Sequence, residues 1–250
     1  MPKALDGKVA LITGAGKNIG RAIALRLAQD GAAIIVNGRS DQAALDGVVR
    51  EIEAGGGRAI AAIGDVSDPA AVARMTEDAA AKLGGIDIVV SNAGLRRQTP
   101  FLDMDLTEWR EILSVALDGA FILAKATVPH MIRRGGGAFI ALSGISTHIG
   151  TPNRCHVSAS KAGLEGLMRA LAVELAPHNI TANSVAPGSV DTVRGAAAGA
   201  RPSTMGDQTI PLKRKASVDD IAGMVRYLAG PEGAYVTGQT LHVNGGLYLT

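Results

Sequence analysis

The residues Thr13-Gly14-Ala15-Gly16-Lys17-Asn18-Ile19-Gly20 lead from an apolar run into a helix-patterned stretch. Small residues at such a turn let the backbone approach a pyrophosphate, and the free N–H groups that open the helix supply a positive end. The same glycines also suit a purely structural turn that needs positive φ. A second group lies near the middle of the chain: Ser143, Ser146, His148 and His156, with Lys161 shortly beyond. Imidazoles act as acid or base near neutral pH, which makes His156 and His148 candidates for proton transfer. Ser143 can hydrogen-bond a substrate oxygen or simply finish a strand. No metal site is expected.

The elements that must position these groups alternate in type. Short apolar runs at Lys8–Thr13, Ala33–Asn37, Ala59–Ile63, Ile86–Val90, Ala138–Leu142, Thr181–Val185 and Gln239–Val243 predict about seven strands. Helices are expected at Arg21–Asp30, Asp41–Ala54, Pro69–Leu83, Thr107–Arg134, Ser158–Leu175 and Asp219–Ala229. Thr107 is the expected cap of the longest, and Pro129 the place where it could bend. Continuously apolar strands separated by helices indicate a parallel sheet buried on both faces. The expected fold is therefore α/β, a Rossmann-type doubly wound sheet in one domain spanning 1–250. Ligands of such a sheet sit at the carboxyl ends of the strands, where both groups fall. Residues 193–215, rich in Ala and Gly, lack the alternating pattern and are read as a substrate lid.

Composition sets limits on function. The chain has 250 residues, 47% of them hydrophobic, enough for one domain with a substantial core. A net charge of +2 gives no reason to expect nucleic acid or an anionic membrane as partner. The single cysteine, Cys155, cannot form an internal disulfide, which suits a reducing compartment. The first residues lack the apolar core of a signal peptide, and no apolar run stands out as long enough to span a bilayer. A cytoplasmic protein is expected.

Further motifs, in order along essentially the whole chain, resemble the short-chain dehydrogenase/reductase family, nearest in flavour to the 3-oxoacyl-carrier-protein reductases. The turn is similar to the family's Thr-Gly-x-x-x-Gly-x-Gly, with Asn18 in place of the middle glycine. Asn is among the few residues that tolerate the left-handed region. Ser91-Asn92-Ala93-Gly94 is similar to the family's Asn-Asn-Ala-Gly, and Asp65-Val66 follows the third strand, where the family clamps adenine. Pro187-Gly188, with Val190 and Thr192, is similar to the nicotinamide-side loop. The resemblance thus implies a dinucleotide held at the turn by Gly14, Lys17, Asn18, Ile19 and Gly20, and beyond it by Arg39, Ser40, Asp65 and Val66. Asn92, Ala93, Gly94, Lys161, Pro187, Gly188, Val190 and Thr192 complete the implied set. An NAD site places an acid at the end of the second strand. Here Gly38 stands there in Asn37-Gly38-Arg39-Ser40, and Arg39 with Lys17 suits a 2′-phosphate. NADP(H) is therefore expected over NAD(H).

The family reacts through an Asn-Ser-Tyr-Lys set, of which the resemblance carries over only Lys161. The tyrosine's place holds Val157, the serine's Gly144 with Ser143 one step earlier, and the asparagine's Ala116. Ser143 and His156 are the candidate substitutes. Three readings follow. The chain is an NADP(H) oxidoreductase with a non-standard active site, acting on a small carbonyl, alcohol or imine. Alternatively it is an inactive subunit that supports an active paralogue, or an NADP(H) sensor. The resemblance also implies a homotetramer, or a hetero-oligomer with such a paralogue, built through the two long helices and the last strand.

Overall fold

Runs of Val, Ile, Ala and Leu form a seven-stranded sheet in the computed structural model, which describes residues 3–193 and 210–250. Most of the expected lid, 194–209, lies outside the described residues. The strands are β1 (Val9–Ile12), β2 (Ala33–Gly38), β3 (Ala59–Ile63), β4 (Ile88–Ser91), β5 (Gly137–Leu142), β6 (Ile180–Pro187) and β7 (Thr240–Val243). All pair in parallel, in the order β3-β2-β1-β4-β5-β6-β7. The chain reverses its direction of winding between β1 and β4, which opens a crevice at their carboxyl ends.

Helices α1 (Asn18–Gln29), α2 (Gln42–Ala54), α3 (Pro69–Leu83), α4 (Leu106–Leu113), α5 (Gly119–Arg133), α6 (Ser146–Ile149), α7 (Cys155–Leu175) and α8 (Val218–Ala229) connect the strands. Successive strand residues face opposite sides. Ile12, Ile34, Val36 and Ile140 share one core with Ile23 and Leu27 of α1, Leu45 of α2 and Val225 of α8. Leu11, Ile35, Val89 and Phe139 share the other with Val72 of α3, Leu123 of α5, and Leu164 and Met168 of α7. Each fully buried Leu, Ile or Phe contributes about 1.5–3 kcal/mol. These two layers, rather than surface ion pairs worth about 0–1 kcal/mol, hold the sheet.

Three local features depart from expectation. Asp105, not Thr107, caps α4, because its carboxylate reaches the Glu108 N–H at 2.7 Å. The expected long helix is interrupted by a π-helical turn at Ser114–Asp118 before α5 resumes. Leu106–Arg133 nonetheless forms a 28-residue helical stretch that contains an 18-residue window of mean hydropathy 1.5, enough by length and composition alone to cross a membrane. Its apolarity reflects α5 packing on α3, β4 and β5. Finally, α7 starts at Cys155 rather than Ser158, because Arg154 serves as its cap and accepts from the Ser158 N–H at 2.9 Å.

At the amino ends of the strands, Asp87 is buried to 1% exposure. It accepts from the Val9 N–H at 2.9 Å and pairs with Lys8 and Arg134 at 3.3 and 3.1 Å. Through these bonds it joins the start of β1 to the end of α5.

Candidate active site

The turn between β1 and α1 closes so tightly that only glycine fits at position 20. A Cβ there would lie 2.3 Å from the Gly14 carbonyl oxygen and 2.6 Å from Asn92 Nδ2. Lys17 caps α1 without a side-chain bond, and the first turn carries no acid, so the leading N–H groups keep their positive end open. Asn18 adopts φ +50°, in the left-handed region. Its side chain reaches toward the segment after β6: Nδ2 donates to the Val193 carbonyl at 2.9 Å, and the Val193 N–H donates to Oδ1 at 3.0 Å. Across the crevice, the Asn92 and Ala93 N–H groups each donate to Thr13 Oγ1 at 3.0 Å. Asn92 Nδ2 donates to the Thr13 carbonyl at 2.9 Å. A cavity of about 290 Å³ results, lined by Gly14, Lys17, Asn18, Ile19, Gly20, Asn92, Ala93, Gly94 and Thr192 among others.

A larger cavity of about 450 Å³ adjoins it and shares Ile19, Asn92, Gly94, Leu95, Arg96 and Thr192. Its walls bring together Ser143, Gly144, Val157, Lys161, Pro187, Gly188 and Val190. Lys161 Nζ donates to the Leu142 carbonyl at the end of β5. Burial, and then the charge of Arg96, lower the Lys161 pKa to about 7, against the opposing pull of Glu165. Val157 sits one helical turn before Lys161, and its side chain can move no proton. A Cβ on Gly144 would meet only Ser146 Oγ, at 3.8 Å. Ala116 is buried in the π-helical turn and is not part of the cavity wall.

Beside Lys161, Ser143 donates its hydroxyl to Glu165 Oε1. The same oxygen lies 3.1 Å from His148 Nε2. Glu165 has a side-chain exposure of 5% and stands one turn after Lys161 on α7, while His148 belongs to α6. His148 in turn packs against His242 and Tyr248, with ring centroids 4.5 and 5.1 Å away. Burial, more than the neighbouring His148, lowers the His242 pKa. Tyr248 therefore packs on these rings and is not in the cavity wall.

Other expected site residues fall elsewhere. His156 is fully buried and lies 3.2 Å from Glu108 Oε1, which also accepts from Thr99 Oγ1 at 2.7 Å. The early start of α7 turns this imidazole toward α4, and it does not line the cavity. Arg39 and Ser40 are exposed at the end of β2, outside both cavities. Asp65 is held by Ser67, whose hydroxyl bond keeps the carboxyl below its ordinary pKa, with a smaller contribution from the charge of Arg39. Val66 is buried against Gly119. Sequence reasoning missed Glu165, Arg96 and Arg154. The last two line the larger cavity. The only local signal for Glu165 is its spacing one turn after Lys161.

The residues present fit a dinucleotide. Gly20 leaves no room for a Cβ, the start of α1 offers uncapped N–H donors, and Lys17 stands beside them. The residues from Asn37 to Ser40 carry no carboxylate, and Asp41, the next one, accepts from the Ala44 N–H as the cap of α2.

Comparison with known proteins agrees with this geometry. Residues 14–248 match a family described as enoyl-(acyl carrier protein) reductase. A 3-oxoacyl-[acyl-carrier-protein] reductase of Synechocystis is 38% identical over 247 residues, covering 98% of this chain and 99% of that protein. A blue fluorescent protein from a metagenomic library, solved in complex with NADPH, superposes with a TM-score of 0.91 at 37% identity, covering 99% of this chain and 100% of that one. A short-chain dehydrogenase from Burkholderia cenocepacia, solved with NADP, gives a TM-score of 0.89 at 35% identity, covering 98% and 99%.

Proposed function

The chain belongs to the short-chain dehydrogenase/reductase family, and from that premise we propose that it exchanges hydride between NADP(H) and a small carbonyl, alcohol or imine-type substrate by a non-standard proton route. The observation that carries this reading is Ser143, in the cavity wall with Lys161 and tied through Glu165 to His148. NADP(H), when bound, supplies or accepts the hydride. Gly14 and Lys17 to Gly20 would hold its diphosphate end, and Lys161 with Pro187, Gly188, Val190 and Thr192 its nicotinamide end. Arg39 and Lys17, with no carboxylate between Asn37 and Ser40, support a preference for the 2′-phosphate form.

The protein's own groups handle the proton. In alcohol oxidation, the substrate hydroxyl donates to Ser143 Oγ, and the Ser143 proton passes to the Glu165 carboxylate. In reduction the chain runs backward: Glu165 returns a proton to Ser143, whose own proton goes to the substrate oxygen. His148 exchanges the Glu165 proton from the far side. Val157 leaves an apolar face at the place where the family has its tyrosine. A cyclic iminium, already cationic before reduction, needs no proton there.

The test is a binding titration with NADPH and NADH, followed by turnover of matched cyclic imines and ketones read by nicotinamide absorbance. Tighter NADPH binding with turnover of either class is the expected result. Binding without turnover of any member defeats the redox reading and favours a sensor. Equal affinity for the two cofactors defeats the preference.

A further inference from the structure

The described walls of the larger cavity carry Arg96, Arg154, Lys161 and Lys215 and no aspartate or glutamate. The whole chain has 25 Lys and Arg against 23 Asp and Glu, so this local excess does not follow from composition. Arg154 is 7% exposed, at the cap of α7 and one turn before Val157. Arg96 also lines the smaller cavity beside the glycine turn, whereas Arg154 lines only the larger one. The remaining wall includes Leu95, Ile145, Val157, Val190 and Ile210, which suit a short hydrocarbon body.

We propose that Arg154 forms a carboxylate subsite in this cavity, so that the substrate is a small oxo or imino acid, or the matching hydroxy or amino acid, and not a neutral carbonyl compound. The class of substrate rests on the redox reading above; the anion subsite itself does not. A planar guanidinium offers paired N–H donors that match the two oxygens of a carboxylate. A largely buried wall strengthens that attraction, because water screens it less. The state of Lys161 is consistent with a positive cavity, since the charge of Arg96 adds to burial in favouring its neutral amine. The charged groups facing Lys161 are Arg96, across the cavity, and Glu165, on its own helix. An anion placed among these cations favours the ammonium form of Lys161, so binding near pH 7.5 takes up a proton.

The experiment is calorimetry on the NADP⁺-saturated protein with acetoacetate and levulinate, each against its methyl ester, in two buffers of different ionisation enthalpy. The acids are expected to bind roughly 30- to 1,000-fold more tightly than the esters, the range for a buried charged hydrogen-bonding partner. Proton uptake should accompany the acids only. Arg154→Gln should remove most of that preference without changing NADP⁺ affinity, and Arg154→Lys should restore part of it. Equal binding of acid and ester, or no binding of either acid, overturns the subsite. An equal loss of NADP⁺ and acid affinity in Arg154→Gln also overturns it, by assigning the cation to the dinucleotide. If both Arg154 variants fail to fold, the acid–ester comparison on the unaltered chain decides alone. Binding needs no turnover. Tight acid binding without reaction would therefore defeat the redox reading and keep the subsite, whereas indifferent turnover of neutral ketones would do the reverse.

Discussion

Two buried carboxylates stand at opposite ends of the same sheet, and their partners differ in kind. Asp87, at the amino ends of the strands, meets Lys8, Arg134 and the Val9 N–H. Glu165, near the carboxyl ends, meets the Ser143 hydroxyl and the His148 imidazole. Their side-chain exposures are nearly equal, 1% and 5%, so burial does not separate them. The partners do. Arginine keeps its proton throughout the physiological range, and a carboxylate held by it serves to connect elements. A hydroxyl and an imidazole can both give up and regain protons, so a carboxylate between them can pass one along.

The largest expected effect separates the two ends through rate. Glu165→Gln should lower ketone reduction by about 10²–10⁴-fold, the usual cost of a lost acid–base group. Its effect on a cyclic iminium should be much smaller, and its urea midpoint close to the parent's. An equal loss on both substrates would make Glu165 a packing residue like any other. The counterpart is Asp87→Asn, which leaves Arg134 facing a neutral amide. It should cost about 1–3 kcal/mol in urea unfolding, because the hydrogen bonds of a buried carboxylate are disturbed while its partly exposed cationic partners can turn to water, and the folded fraction keeps its kcat/KM. A change in rate there would erase the distinction between the ends.

Lys161 sharpens the same contrast through pH. Its folded pKa, about 7, lies below its ordinary 10.5, so between those values the unfolded chain holds more protons. Stability of the cofactor-free protein should therefore rise with pH from about 7 to about 10.5 through this group and be insensitive to it below 7. Lys161→Met should remove that rise, gaining on the parent at pH 7 and not at pH 10.5, in urea titrations at both values. A parallel pH profile in the variant would show that the lysine is not held neutral. The smallest effect is expected from Val157→Tyr combined with Gly144→Ser and Ala116→Asn. The open surroundings of Gly144 admit the hydroxyl. Steady-state assays should show ketone reduction rising about tenfold, below the full return of a well-placed acid. No gain in a folded, NADPH-binding variant would mean that the cavity no longer presents a ketone to position 157.

The sheet was legible because its strands are short and apolar on both faces. The run from Ala59 to Ile63 is a strand with those limits, and Pro69–Leu83 is the expected helix. The glycine turn was legible for the same local reason. Helix phase was harder to read. The helix was expected to start at Ser158, but Arg154 caps α7, and the three extra residues carry His156 round to Glu108. The π-helical turn at Ser114–Asp118 has no mark such as proline or paired glycines within it. Ser143, His148 and Glu165 meet only because β5, α6 and α7 converge, across separations of 22 and 17 residues in sequence. Pairings of that length depend on packing that no local pattern encodes.

The two hydrogen bonds between Asn18 and Val193 join points 175 residues apart. They make the first turn of α1 and the chain leaving β6 a single mechanical piece. Whatever displaces one must carry the other along or break both bonds. Both residues line the smaller cavity beside the glycine turn, so that wall of the cavity moves as a unit.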